Sequence, residues 1–481
     1  MPVPKPIATN PSAVLDPANR RRVLLWGGAV CCTILGMRVP MLGWPVLLLD
    51  DFQILAQSWT WQTMLDNLWV PANEHSMPLG RISTWALIYV GGQLTDVARL
   101  LCFQGPLAIT AAAVLVYLLV QRETGHPLPA LLAMTLFGVS THYWQAVIWF
   151  AASFATLGLD MCLLGLLAAQ RWRQLGRPMS LVLSACWCAL APGWFGTGVL
   201  AGPLCTLYLL GTDRDSARRL RGWLLSVVPC LGTAISLAIT MPRNAERILT
   251  MSRDSFDPLI GLEYTLRSMV DDVIPGMIGI REITIPQRWV WLCLGILVMA
   301  FVWWWRIAPQ RGLLLLGLGM IVGSYLLIFT ARANKDYEDM HHWSRYQLYP
   351  HLGLVLIVCG GLPRRWYPVS LAAIPHCKAA VFLGVVVLVQ LASPFYFHEN
   401  TQQLKDIRRI EEVDARCRRF HIDAATARTV LPEPFLISGC EKDQTVNGRT
   451  LSGWDFLRGS DDPQPVAVED ARRMLDLSRQ P

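Results

Sequence analysis

The sequence predicts an all-α, polytopic membrane protein of about eleven transmembrane helices, with a small, mainly helical domain at its C-terminus. Three observations predict it. Apolar windows near the roughly 20 residues that cross about 30 Å of hydrocarbon recur from Val23 onward. Charged residues make up only 16% of the chain, where a soluble domain carries about 25%. Short arginine-rich runs alternate with the apolar windows, so an inside and an outside can be assigned. Those runs also account for the net charge of +7, which therefore argues for no nucleic-acid partner.

Residues 1–19 are polar and Pro-rich, a disordered cytoplasmic N-terminus. Arg20-Arg21-Arg22 then precede the first span, Val23 to Leu42, which reads as uncleaved because many more follow. This places Asp50-Asp51 outside. The first outer loop, 43–96, is amphipathic, and Trp59, Trp61, Leu65, Leu68 and Trp69 suggest short interfacial helices with aromatic anchors. Spans two to six cover 97–120, 128–139, 151–169, 181–191 and 197–210, the last two joined by Pro192-Gly193-Trp194-Phe195-Gly196. Span seven, 223–240, leads into a long outer loop, 242–287, with Asp271-Asp272, which reads as a lid. Spans eight and nine (289–305, 313–330) open a second charged outer loop, 331–349. Spans ten and eleven (351–362, 380–394) complete a membrane domain over 20–397. The tail, 398–481, has helical periodicity at Leu404, Ile407, Ile410, Val413, Cys417 and Phe420. Most of the 13 cysteines sit in apolar runs as small hydrophobes. Cys417 and Cys440 lie in the polar tail and are candidates for a disulfide if the tail is outside the cytoplasm.

Ionisable residues at the mouth of a span are costly unless they have partners or work. Asp50 and Asp51 follow Leu47-Leu48-Leu49 at once. A single acid there would serve as the polar stop of the span. Two adjacent carboxylates repel, which raises one pKa unless a cation intervenes, and that suits a base taking a proton from a hydroxyl. Glu74, His75 and Arg81 form the next group, either the solvated face of an interfacial helix or contacts to substrate or a divalent metal, with Arg81 toward phosphate. His142 ends span three beside Trp144, as an interface residue or a site residue. Arg345-Tyr346 stand just before span ten, where a guanidinium can grip phosphate bidentately. The adjacent His341 and His342 point to different sides and make a poor zinc pair. No glycine-rich phosphate loop or Walker motif is present.

The acidic pair after the first span, the long amphipathic outer loop, the Asn73-Glu74-His75…Pro78-Leu79…Arg81 segment and the many further spans together resemble the membrane glycosyltransferases of the GT-C superfamily. That group includes protein O-mannosyltransferases, aminoarabinose transferases and oligosaccharyltransferases. The resemblance covers 20–362 and is strongest over 49–81. It implies a donor sugar on a polyprenyl phosphate at the outer leaflet, an acceptor (glycan, lipid or protein) outside, and inversion at the anomeric carbon. The mannosyltransferases carry Asp-Glu, with the first carboxylate as base; by position that is Asp50. This chain has Asp at both places, so Asp50 and Asp51 both remain candidates. Relatives carry a second acidic or histidine motif near His142, but the Asp-x-Asp form is absent here, so a divalent metal is an option and not a requirement. Relatives also place an Arg-Tyr pair like Arg345-Tyr346. The rival readings are a lipid or saccharide flippase, in which Asp50 and Arg345 are pathway charges, and a catalytically silent envelope-assembly scaffold.

Overall fold

The computed structural model describes residues 17–38, 51, 54–55, 57–71, 75–94, 97–212, 224–252, 256–277, 285–341, 343–363, 374–392, 444–446 and 449–451. Asp50, Glu74, Cys417, Cys440 and the expected tail helices lie outside these residues. In the tail, the described part is an antiparallel hairpin pairing Gln444–Val446 with Arg449–Leu451.

The first helix, α1 (Pro17–Gly36), is followed by two helices in the segment expected to be the first outer loop, α2 (Trp61–Asp66) and α3 (Pro78–Leu94). Thr60 starts α2 through a reciprocal capping box with Thr63. Next come α4 (Val97–Thr124), α5 (Pro127–Gly138), α6 (Phe150–Leu175), α7 (Pro178–Leu190) and α8 (Ala201–Thr212). Pro opens α5 and α7, where its missing N–H costs nothing. Gly176 closes α6 at φ +65, donating to Trp172 O. After α9 (Val228–Ser252) and α10 (Pro258–Ser268) follow α11 (Gln287–Ile307), α12 (Arg311–Thr330), α13 (Leu348–Gly361) and α14 (His376–Ala392).

Four helical segments among the described residues are long and apolar enough to cross a membrane: Leu100–Thr124, Phe150–Leu175, Arg288–Ile307 and Arg311–Thr330. The chain is a helical membrane protein. The four coincide with expected spans two, four, eight and nine. Several other expected spans fall on shorter apolar helices, at 127–138, 178–193, 196–211, 224–240 and 376–392, so the count of eleven remains an expectation. α11 differs from the other three, with only 6% of its apolar window buried. Trp289, Leu292, Ile296 and Met299 are exposed on one face and Trp291, Val298 and Val302 on the opposite one, which is the surface of a helix facing lipid on more than one side.

The ends of the bundle are fixed by side chains. At one end, Arg22 donates to Ile374 O, joining the starts of α1 and α14. At the other, Arg38 Nη2 donates to Ser140 O at 3.2 Å, and Gln390 Oε1 accepts from Thr141 N at 2.8 Å. The first and last described helices of the bundle therefore run in the same direction, as the alternation of basic loops requires. Near the Arg22 end, Glu123 on α4 receives Arg173 (2.6 Å) and the Tyr208 hydroxyl (2.5 Å), so this buried carboxylate is paired.

Two of the segments expected to be outer loops, 242–287 and 331–349, are locked together through their described residues. Instead of irregular chain, 256–277 holds α10, capped by Asp257 on Leu259 N and Ile260 N, and a π-helical turn at Met269–Val273. Arg267 bonds Glu338 at 2.8 Å and Asp271 at 3.3 Å, and its guanidinium lies 4.1 Å from the Tyr337 ring centroid. Tyr337 in turn donates to Asp271. Burial raises the Asp271 carboxyl above its ordinary value, with the neighbouring Asp272 adding to the shift against the opposing Ile285 N–H and Arg267. The folded chain thus takes up this proton at higher pH than the unfolded chain. Stability should fall as pH rises from about 4, the ordinary carboxylate value, through the raised one. Asp271→Asn should flatten that decline in melting temperatures measured across the window. An unchanged slope would assign it to another group.

Candidate active site

The start of α6 gathers three of the described site residues, Asp51, Arg345 and Tyr346. Trp149 has the extended N-cap conformation but offers no capping side chain. The cap comes from far away in sequence: Asp51 is fully buried and its Oδ1 accepts from Ala151 N at 2.7 Å. A carboxylate there satisfies an orphan amide and meets the positive end of the helix dipole. Around it, Ile54, Leu55, Met77, Phe150 and Phe154 form a compact apolar cluster that seats the first outer loop on α6.

Arg345 approaches the same stretch from the second outer loop. Its guanidinium lies 5.0 Å from the Trp149 ring, 4.2 Å from Trp343 and 5.0 Å from Tyr346. The chain at 344–347 is held by Ser344 Oγ, which accepts from Gln145 N at 3.1 Å. Arg345 and Tyr346 line a small cavity with Ala152 of α6, Thr197, Ser324 of α12 and Tyr349 of α13. Its volume, about 20 Å³, is of the order of one water. A sugar does not fit it as it stands. The Tyr346 hydroxyl is buried and has no hydrogen-bond partner among the described residues, so a polar group in the cavity would meet an available donor. His75 joins this wall indirectly: its ring packs on Phe195, a lining residue, with centroids 4.1 Å apart.

Two expected site residues are placed elsewhere. Arg81 is fully buried in the first outer loop, where Nη2 donates to Val70 O at 2.6 Å, and it does not line the cavity. Burial lowers its pKa to about 10. Its bond to Val70 O pins that residue onto α3, and Nε and Nη1 are buried with no hydrogen-bond partner among the described residues. His142 is likewise buried, beneath Gly276 and 5.8 Å from the His351 ring. It sits inside the bundle and is absent from the lining of the Arg345 cavity.

Three residues were not singled out in the sequence. Thr197 and Tyr349 line the cavity. Asp160, in the middle of α6, is buried, within electrostatic reach of Tyr349, and its Oδ1 has no hydrogen-bond partner among the described residues. The i, i+3 spacing of Tyr346 and Tyr349 was a readable signal. So was a lone acid in an apolar span.

The described donors do not make a divalent-cation site. Among the described residues no three His, Cys, Asp or Glu side chains come together. An Asp51 oxygen is engaged by a backbone amide and the His75 ring packs at a tilt against Phe195.

No family model matches the sequence, and no curated protein matches it. Among solved structures, the crystal structure of the Archaeoglobus fulgidus oligosaccharyltransferase in complex with Zn and sulfate aligns with a TM-score of 0.36 and 13% identity. The alignment covers 79% of this chain and 53% of that one, so this chain spans about half the length of that neighbour.

Proposed function

We propose that the protein is a membrane glycosyltransferase that moves a sugar from a polyprenyl phosphate to an acceptor outside the cytoplasm. One observation carries the reading: a buried carboxylate and an aromatic-framed arginine meet the same four residues, 149–152, at the start of α6. In this reading Arg345 holds the lipid phosphate, whose charge needs a cation more than an acid once it leaves. The Tyr346 hydroxyl donates to the same phosphate. Asp51, or Asp50 beside it in sequence, takes the proton of the acceptor hydroxyl as its oxygen attacks the anomeric carbon from the face opposite the phosphate, with inversion. The small cavity means that donor binding must spread its walls, as closing and opening loops do in many enzymes. No step is assigned to a metal.

A second reading has its own observation. Asp160 is a buried acid inside a span, and such residues often mark a transport path. A flippase would move a lipid-linked anion past it.

The test incubates purified protein with a panel of polyprenyl-phosphate sugars and a mixed acceptor pool, and compares wild type with Arg345→Ala and Arg345→Lys. Turnover should fall about 10²–10³-fold in Arg345→Ala, with partial recovery in Arg345→Lys, because lysine restores charge without the bidentate fork. Absence of turnover in wild type with lipid movement that depends on Asp160 would replace the enzyme with a transporter.

A further inference from the structure

The peptide that joins Phe150 to Ala151 is held at both ends. Its N–H, on Ala151, donates to Asp51 Oδ1 at 2.7 Å. Its carbonyl, on Phe150, accepts from Ser153 Oγ at 2.6 Å. The two groups belong to one rigid amide plane, so whatever turns the carbonyl also turns the N–H that meets Asp51. A serine inside a helix commonly bonds the carbonyl three or four residues back. Here the serine is itself held from outside its helix. Ser153 Oγ accepts from Gln104 Nε2 of α4 at 2.8 Å, and Gln104 Oε1 accepts from Ser83 Oγ of α3 at 3.2 Å.

Every donor in this chain faces the same way: Ser83 to Gln104, Gln104 to Ser153, Ser153 to the Phe150 carbonyl. Aligned bonds in a low-dielectric interior polarise one another, and an amide whose carbonyl accepts a bond is a better donor at its N–H. Gln104 and Ser153 are buried, and Gln104 lies in the segment Leu100–Thr124, long and apolar enough to cross a membrane. Adhesion between two membrane helices would need only the contact from Gln104 to Ser153. The chain goes further at each end, to α3 on one side and to the amide that meets Asp51 on the other. α4 is a firm base for it, because a Cβ on the adjacent Gly105 would overlap Val147 O. The α4 backbone therefore lies against the chain just before α6.

We infer that Gln104 and Ser153 are positioning residues for Asp51. They fix the tilt of the 150–151 amide, and its N–H fixes the direction in which the Asp51 carboxylate faces. Neither side chain lines the Arg345 cavity. The effect on rate rests on the proposed transfer reaction, whereas the effect on the cap does not.

The test uses the full-length protein and the polyprenyl-phosphate sugar of the panel that wild type turns over best. Gln104→Leu removes both of its bonds with a side chain of similar size. Ser153→Ala removes the hydroxyl and stands in if the first variant does not fold. Each should lower kcat about tenfold to a hundredfold, the effect of a small misplacement of a reacting group, with a smaller change in the donor KM. The acidic limb of the kcat profile should move to higher pH, because a carboxylate less well bonded in its charged form keeps its proton longer. In an Asp51→Asn background neither variant should lower kcat further. A merely structural role would multiply the two losses and leave the limb in place, and either result would overturn the inference. Melting supplies an arm that needs no turnover. Asp51→Ala should lower the melting temperature less in Ser153→Ala than in wild type, because the cap is already weakened there. Equal lowering in both backgrounds would overturn the inference. Absence of turnover in wild type would remove the transfer reaction and leave the melting arm to decide.

Discussion

Asp51→Asn is expected to lower sugar transfer about 10²–10⁴-fold, the range for losing a general base, while the melting temperature stays near wild type. The separation follows from how Asp51 is held. Its Oδ1 caps Ala151 N at 2.7 Å, and an asparagine oxygen of the same shape accepts that bond nearly as well. The substitution therefore removes basicity and keeps the cap. Asp51→Ala removes both and should cost about 1 kcal/mol more in stability. Asp50→Asn supplies the comparison between the two acids. Should Asp51→Asn keep full turnover while Asp50→Asn loses it, the base is Asp50 and Asp51 is the residue that positions α6. Full turnover in both would remove the acid pair from the chemistry.

Gly353→Val is expected to destabilise the fold by at least about 1–3 kcal/mol, the usual effect of forcing extra atoms into a filled core. α12 and α13 cross on a reciprocal glycine pair. A Cβ on Gly353 would stand 2.4 Å from Gly317 O, and one on Gly317 would stand 2.4 Å from Gly353 O. Neither carbonyl can move aside as a flexible side chain would, so the helices must separate. Membrane helices rely on such small residues because lipid gives them no hydrophobic drive to associate. The same two helices bring Ser324, Leu348 and Tyr349 to the Arg345 cavity, so activity should fall together with stability. Gly295→Val on α11, where nothing lies within 4 Å, is the control and should melt like wild type. A wild-type midpoint for Gly353→Val would mean that the crossing is looser than the contact implies.

Much of the fold was legible because hydrocarbon is an undemanding selector. A run such as Leu313 to Thr330 announces itself by composition, and the helix found there begins two residues earlier. The first outer loop was legible as amphipathic, and α2 and α3 lie within it. The site was legible only in part. Arg345 and Tyr346 were visible as a cation and an aromatic at the edge of a span, and both line the cavity. That Asp51 caps a helix 100 residues away was not visible, because a cap supplied from another element leaves no mark beside the helix it caps. The surroundings of Arg81 were hidden for a related reason. An arginine close to acidic residues in sequence suggests an anion site, yet here the backbone carbonyl of Val70 accepts its hydrogen bond. Asp160 was passed over because a single acid barely lowers the hydropathy of a long apolar window. The regular helix 258–268 inside the loop expected to be a lid shows the converse: its Asp257-Pro258 start is a readable helix signal.

α11 has a consequence for how the surroundings reach the interior. At 21 residues it is roughly 30 Å long, with Trp289 and Trp291 near one terminus and Trp303, Trp304 and Trp305 near the other. With so little of it packed against protein, its tilt should respond to hydrocarbon thickness, because a mismatched helix leans or straightens to keep its indoles at the two interfaces. It is tied to the body by a hydrogen bond from Trp304 Nε1 to Ile357 O at 3.1 Å, and Ile357 belongs to the helix that begins with Leu348 and Tyr349. A bilayer that makes α11 lean should therefore pull, through this indole, on the helix that walls the cavity.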